Sequence, residues 1–417
     1  MPSLRNNILS LYCVQLLTYA LPLLTLPWLT RVLGLDGFCR LVFCTAINAY
    51  FIMLTDYGFN FTATRAVALA GNDRPARSGV FWTTMTAKLV LACVGLAVLG
   101  VLTLVLEPLA DNAALLLTGY LAVIGSAFTP LWYFQGTERL RVFSTITIAV
   151  RAVSVAALFL LVRTPDDLLT AMAITAGVPV AIGAICLLLL MQERAVPYAP
   201  VSLAGLRETL HDGWQLFAST TAISLYTTAN TVVLGFLAGP AVVGQYGAAE
   251  RLIGAAQGLV TPLTQSIFPR VSRLMNESQG EAFALLRKLL HLQGLATLAL
   301  SALIFVSAPY VVTLIYGPDF SGAVAVLRWL SLLPFLVGLS NVFGINTMLP
   351  LGMQRMFSGI LITAGALHIV ALFVLIPAFS AAGAAMAVLL TECAVTLVMG
   401  AVLWRKRIPI FSAPMAA

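Results

Sequence analysis

Apolar stretches long enough to cross a bilayer recur along the whole chain, separated by short clusters of Gly, Pro and charged residues. A hydrocarbon core about 30 Å thick takes roughly 20 apolar residues per helix. The pattern therefore predicts about twelve transmembrane helices, over 8–33, 41–66, 80–106, 113–135, 143–162, 168–191, 213–237, 245–271, 289–316, 323–347, 357–376 and 383–404. A transmembrane barrel would show short segments of alternating polarity. The run from Ala87 to Leu106 has none, so the fold class is all-α integral membrane. The first stretch is too long for a signal-peptide core and lacks a small-residue cleavage site, so it reads as a retained span. Gln192 to Asp212 is the main polar break, with Glu193, Arg194, Pro197, Pro200, Arg207, Glu208 and His211. It divides the chain into an N-terminal six-helix bundle (1–191), a linker (192–212) and a C-terminal six-helix bundle (213–417).

Positive charge orients these spans. Arg5 precedes the first, and every second connection is basic: Arg74 and Arg77; Arg139 and Arg141; Arg194 and Arg207; Arg270, Arg273, Arg287 and Lys288; Arg355; then Arg405–Arg407. The alternate connections at 107–112, 239–244 and 317–322 contain no Lys or Arg. By the positive-inside rule, the linker and both termini are cytoplasmic. The halves also match in order. Gly34 and Gly239, and Arg65 and Arg270, are each 205 residues apart, and Ala171–Met172–Ala173 recurs as Ala385–Met386–Ala387. With six spans per half, such a repeat is parallel, related by a pseudo-twofold axis along the membrane normal.

Composition then narrows the class. Of 417 residues, 60% are hydrophobic and 9% charged, against roughly 25% charged in soluble domains. That excludes a soluble enzyme, a disordered chain and a nucleic-acid binder. The net charge of +7 reports topology. The six cysteines show no paired spacing and read as small buried hydrophobes. The three histidines, His211, His291 and His368, lie far apart, so the pattern supports neither a metal nor a cofactor. None of the three lysines follows Gly, which excludes a P-loop. No Gly-x-Ser-x-Gly elbow occurs either.

Some charges fall inside predicted spans, among them Asp56, Arg65, Lys88, Arg151, Glu250, Arg251 and Glu392. Each costs about 2.5–3.5 kcal/mol on insertion scales, so each is a functional candidate. Arg65 sits at a cytoplasmic helix end, where snorkelling also explains it. Lys88 and Arg151 lie about two turns inside such ends and are candidates to line a polar cavity. Together with Arg251 they would favour a phosphate, sulfate or carboxylate. Asp56, Glu250 and Glu392 are candidates for ion coupling, with structural hydrogen bonding as the plainer role. His368 reads first as a satisfied bundle histidine. Trp82, Trp132, Tyr133, Tyr226 and Tyr246 could stack on sugar rings or anchor the interface.

Several segments carry a family resemblance. Thr55–Asp56–Tyr57–Gly58–Phe59 leading to Ala63–Thr64–Arg65 resembles the second helix of polysaccharide flippases, and Pro130–Leu131–Trp132–Tyr133–Phe134–Gln135–Gly136 their fourth. Ala249–Glu250–Arg251–Leu252, Thr261–Pro262–Leu263 and Phe268–Pro269–Arg270–Val271–Ser272–Arg273 resemble their eighth. Tyr316–Gly317–Pro318–Asp319–Phe320, Asn341 and Leu349–Pro350–Leu351–Gly352 continue the likeness. The chain thus resembles the Wzx-type O-antigen or exopolysaccharide repeat-unit flippases, in the multidrug/oligosaccharidyl-lipid/polysaccharide superfamily. It departs from them at Leu35, where relatives commonly have Pro.

The resemblance implies two six-helix bundles around a V-shaped cavity in a bacterial inner membrane. It implies movement of undecaprenyl-pyrophosphate-linked oligosaccharide to the periplasmic leaflet by ion-coupled alternating access, and no enzyme activity. The pathway's polymerase and chain-length regulator are candidate partners. It places Lys88, Arg151 and Arg251 as substrate-binding candidates, with Arg65 and Arg270 at matching motif positions. A multidrug and toxin extruder of the same fold is the alternative, although a cation exporter would want acidic cavity residues. A membrane glycosyl polymerase or ligase fits less well, because the predicted external loops are short.

Overall fold

The computed structural model describes the backbone of residues 4–411 except 72 and 228. Side chains are described from residue 24, except at 72, 215–216, 218–228, 240–241, 259, 261–266, 269 and 276. Tyr226, Cys13 and the Thr261–Leu263 motif therefore lie outside the described side chains.

The first unit runs from Trp28 to Ser224, and the second joins the chain up to Pro27 with Leu225 onward. In chain order the helices are α1 (Leu4–Asp56), α2 (Phe59–Leu69), α3 (Arg74–Val105), α4 (Glu107–Ala110), α5 (Ala113–Gly119), α6 (Leu121–Phe128), α7 (Leu131–Gly136) and α8 (Leu140–Leu161). They continue with α9 (Leu168–Gln192), α10 (Leu203–Thr227), α11 (Ala229–Ala238), α12 (Pro240–Glu277), α13 (Gln279–Tyr316), α14 (Gly322–Leu330), α15 (Leu333–Phe343) and α16 (Gln354–Arg405). There is no β-strand among the described residues. Among the described residues, eight segments are long and apolar enough to span a membrane, including Arg74–Val105, Leu140–Leu161 and Gln279–Tyr316.

Two of the eight are far longer than a bilayer requires, Leu24–Leu69 with 46 residues and Gln354–Arg405 with 52. Each contains a non-helical residue, Gly34 (φ 68°, ψ −178°) and Ser380 (φ 54°, ψ −130°). Gly239, 205 residues after Gly34, adopts nearly the same conformation, φ 86° and ψ 163°. This backbone region is essentially restricted to glycine. The repeated glycine thus marks a repeated helix–helix turn. No atom lies within 4 Å of the position a Cβ would take at either site, so backbone strain alone opposes substitution. Gly34→Ala and Gly239→Ala are each expected to cost about 1–3 kcal/mol, read as a lowered Tm in detergent.

Burial follows membrane logic. Val94, Val98, Val101, Leu104 and Val105 of α3 are exposed, Leu104 by 87%. The facing core of the first unit holds Phe59, Phe81, Trp132, Tyr133 and Phe134. Helices approach closely at small residues. A Cβ on Gly125 would collide with the backbone of Val180 and Pro179 in α9, and one on Gly183 would meet the Phe128 backbone at 3.1 Å.

The linker is docked on the first unit. The Trp82 indole N–H donates to the Pro197 carbonyl (3.1 Å), and Val196 is buried. Arg139 donates two hydrogen bonds to the Glu193 carboxylate (2.6 and 2.8 Å). These bonds hold the Glu193 carboxyl below its ordinary value. The pair's contribution is therefore full above the ordinary carboxylate range and is lost as pH falls through the lowered value. Both side chains are about a third exposed, so Glu193→Gln is expected to cost at most about 1 kcal/mol. Thermal unfolding should show that loss shrinking in high salt.

Candidate functional site

In the first unit a lysine joins two helix breaks. α1 ends at Asp56, Tyr57 (φ 43°) and Gly58 (φ 80°) take left-handed conformations, and α2 restarts at Phe59. In the fourth span, α6 ends at Phe128 and α7 starts at Leu131. Pro130 has no N–H to give the carbonyl four residues back, that of Ser126. Lys88, from α3, is 2% exposed and completes both breaks. Its ammonium donates to the Asp56 carboxylate (2.9 Å) and to the Ser126 carbonyl (2.8 Å). An unpaired buried ammonium would cost several kcal/mol, which explains why both acceptors converge on it.

Around this pair the packing is tight. The Tyr57 ring stacks on Phe217 at 4.6 Å. A Cβ on Gly213 of α10 would lie 3.0 Å from the Tyr57 carbonyl. The middle of α10 thus presses directly on the break beside Asp56.

Arg151, on α8, is half-buried. It has no ion pair or hydrogen bond among the described residues. Ser144, Thr147 and Ser154 share its helix face by spacing, and the buried Thr147 hydroxyl lacks a partner among the described residues. Arg65 and Arg270 are exposed. Trp132, Tyr133 and Tyr246 are at most 2% exposed, too buried to stack on a sugar ring.

The second unit holds the other candidates. Glu250 and Arg251 follow each other on α12 and are half-buried. Glu250 accepts a long hydrogen bond from the Thr231 hydroxyl (3.5 Å). Arg251 interacts electrostatically with Glu250 and Tyr316, and the Tyr316 hydroxyl donates to the Ala248 carbonyl (2.9 Å). Glu392 is half-buried, next to Thr391. His368 is 1% exposed and bonded at both ring nitrogens, to Thr391 Oγ1 (2.9 Å) and Asn230 Oδ1 (2.8 Å). No cluster of three His, Cys, Asp or Glu able to hold a metal occurs among the described residues.

The structure therefore joins Asp56 to Lys88 and leaves Arg151, Glu250 with Arg251, and Glu392 as separate positions. Sequence reasoning missed the partners Ser126, Asn230 and Thr391. Pro130 was the available signal for Ser126, through the carbonyl it leaves open. It also missed Asn346, fully buried in a π-helical stretch Gly344–Met348 within a span. Such stretches are frequent at functional sites, but no hydropathy signal marks them.

Helix breaks and charges inside apolar spans are features of membrane transporters, and solved structures agree on the fold. An inward-facing multidrug resistance MATE family transporter of the MOP superfamily aligns with 94% of this chain and 99% of its own, at TM-score 0.67 and 14% identity. A MATE structure in the bent conformation aligns at TM-score 0.56 and 14% identity, over 97% of this chain and 95% of its own. The polysaccharide biosynthesis protein family matches residues 4–275, and the chain belongs to it. Its relatives include a protein of Escherichia coli (strain K12) named "Putative O-antigen transporter", 37% identical over 95% of this chain and 96% of its own length. A protein of Shigella dysenteriae with the same name is 28% identical over 95% of this chain and 99% of its own length.

Proposed function

We propose that this chain is a flippase for lipid-linked oligosaccharide repeat units. It moves undecaprenyl-pyrophosphate-linked units from the cytoplasmic to the periplasmic leaflet of a bacterial inner membrane. Twelve spans, six in each of two bundles (1–191 and 213–417) flanking the linker 192–212, would alternate access with both termini cytoplasmic. Membership in the polysaccharide biosynthesis family, together with the O-antigen names of its relatives, supports the substrate class. The polymerase and chain-length regulator of the same pathway would act on the delivered units.

The observation that carries the site is Arg151. It is a half-buried guanidinium on a serine- and threonine-lined helix face, with no counter-charge among the described residues. That is the state of a cation held for an anionic ligand, and its planar donors suit a pyrophosphate. Lys88 has a different role, because both its acceptors belong to the protein. It positions the second and fourth spans. Asp56 serves as its partner, and Glu250 and Glu392 remain coupling candidates.

A charge-assisted hydrogen bond is worth about 1.5–3 kcal/mol. Arg151→Gln is therefore expected to lower export about tenfold or more at equal protein level, with Arg151→Lys intermediate. Complementation of a strain lacking its own repeat-unit flippase measures this, by surface polysaccharide and by lipid-linked units retained inside. Unaltered export by Arg151→Gln would remove Arg151 from the site.

A further inference from the structure

The second unit contains a buried histidine whose hydrogen bonds fit two protonation states. His368 lies before the Ser380 break in α16 and Thr391 after it, so their bond joins the two halves of that long helix. The Thr391 hydroxyl donates to the Ala387 carbonyl (2.8 Å). Its oxygen is then left to accept from the His368 Nδ1–H, and the Ala387 carbonyl faces the ring as well. On the other side, Asn230 Oδ1 lies 2.8 Å from Nε2. Acceptors at both nitrogens suit an imidazolium, which has two N–H donors. Turning the Asn230 amide over places its NH2 against Nε2, and the same pocket then suits the neutral ring. Tyr246 is hydrogen-bonded to the Asn230 side chain, and a hydroxyl can donate or accept. The turned amide is therefore satisfied in either position.

We propose that His368, with Asn230, Thr391 and Tyr246, is a proton-binding site of this transporter. One proton adds to Nε2 as the Asn230 amide turns, and leaves by the reverse motion. The proposal rests on the flippase reading for what the proton drives. The charged and titratable side chains nearby are countable. α12 brings Tyr246, Glu250 and Arg251, α14 brings Arg328, and α16 itself carries Glu392 and Cys393; α11 and α15 have none. Glu250 interacts electrostatically with Tyr246, and its bonding partner Thr231 adjoins Asn230. The site links α11 to both halves of α16, so its occupancy bears on three helix segments at once.

The test uses the full chain in lipid nanodiscs with the exposed His211 and His291 each replaced by Gln, so that His368 gives the only imidazole NMR signals. Those signals should move from neutral to protonated between about pH 8 and 5. Asn230→Asp, which sets a carboxylate beside the ring, should raise the midpoint by about 1 unit or more. In inverted vesicles whose interior is about one pH unit more acid, the unaltered protein should accumulate a lipid-linked oligosaccharide up to about tenfold for one coupled proton. His368→Gln should lose that response and keep exchange without a gradient. A ring that stays neutral across the range would overturn the proposal. A gradient response surviving in His368→Gln, or loss of exchange along with the response, would overturn it too. If the unaltered protein moves no oligosaccharide, the flippase reading fails, while the titration still decides His368.

Discussion

Lys88→Met is expected to abolish export and to weaken the fold. Methionine fills much of the same space but leaves the Asp56 carboxylate and the Ser126 carbonyl without their donor. Removing one member of a fully buried pair costs about 3–5 kcal/mol. Asp56 is a third exposed, so solvent screens part of that loss, and about 2–3 kcal/mol is expected. Asp56→Asn should cost less, because the Ser126 carbonyl still accepts from the ammonium. In the double variant the costs should not add, with a coupling of about 1–3 kcal/mol. Detergent Tm values for the four proteins give the cycle. Additive costs would mean that the pair does not hold the two breaks together. Lys88→Arg tests the geometry separately, since a planar guanidinium cannot place its donors on both acceptors as a compact ammonium does.

The second large effect is expected at Gly125. A Cβ there would lie 2.6 Å from the Pro179 carbonyl carbon and collide with the Val180 backbone nitrogen. Backbone cannot move aside as a flexible side chain does. Gly125→Ala should therefore cost at least the 1–3 kcal/mol typical of overpacking, and Gly125→Val should prevent accumulation of folded protein. The contact lies between α6 and α9, next to the Thr129 hydroxyl that reaches the Pro179 carbonyl (3.2 Å). Yield of monodisperse protein after solubilisation is the readout. Gly100→Ala is the control, because no atom lies within 4 Å of its Cβ position.

Much of this architecture was legible in the sequence because a bilayer imposes length and apolarity on each span. The apolar runs at 143–162 and 168–191 became α8 and α9 with ends shifted by a few residues. The start of the third span was less legible. Its apolar run begins near residue 80, but the Asp73 cap, which accepts from the Ala76 N–H, and Pro75 start the helix at Arg74. The break at Tyr57–Gly58 fell inside the predicted span 41–66, because hydropathy does not record backbone conformation. The site was legible only as a set of misplaced charges. Nothing in the spacing paired Asp56 with Lys88, 32 positions apart, or His368 with Asn230, 138 apart. Tertiary packing makes both pairs. Arg151 stood out from its type and depth alone, which packing left unchanged.

The most direct test of the transport function is a leaflet assay with the purified full chain in liposomes. A lipid-linked oligosaccharide is placed in both leaflets, and its sugar is attacked by an oxidant that cannot cross the membrane. With the protein present, the oxidant should consume the whole pool, and Arg151→Gln should slow the inner-leaflet fraction. Protection of the inner-leaflet fraction in the presence of the folded, unaltered protein would contradict the account.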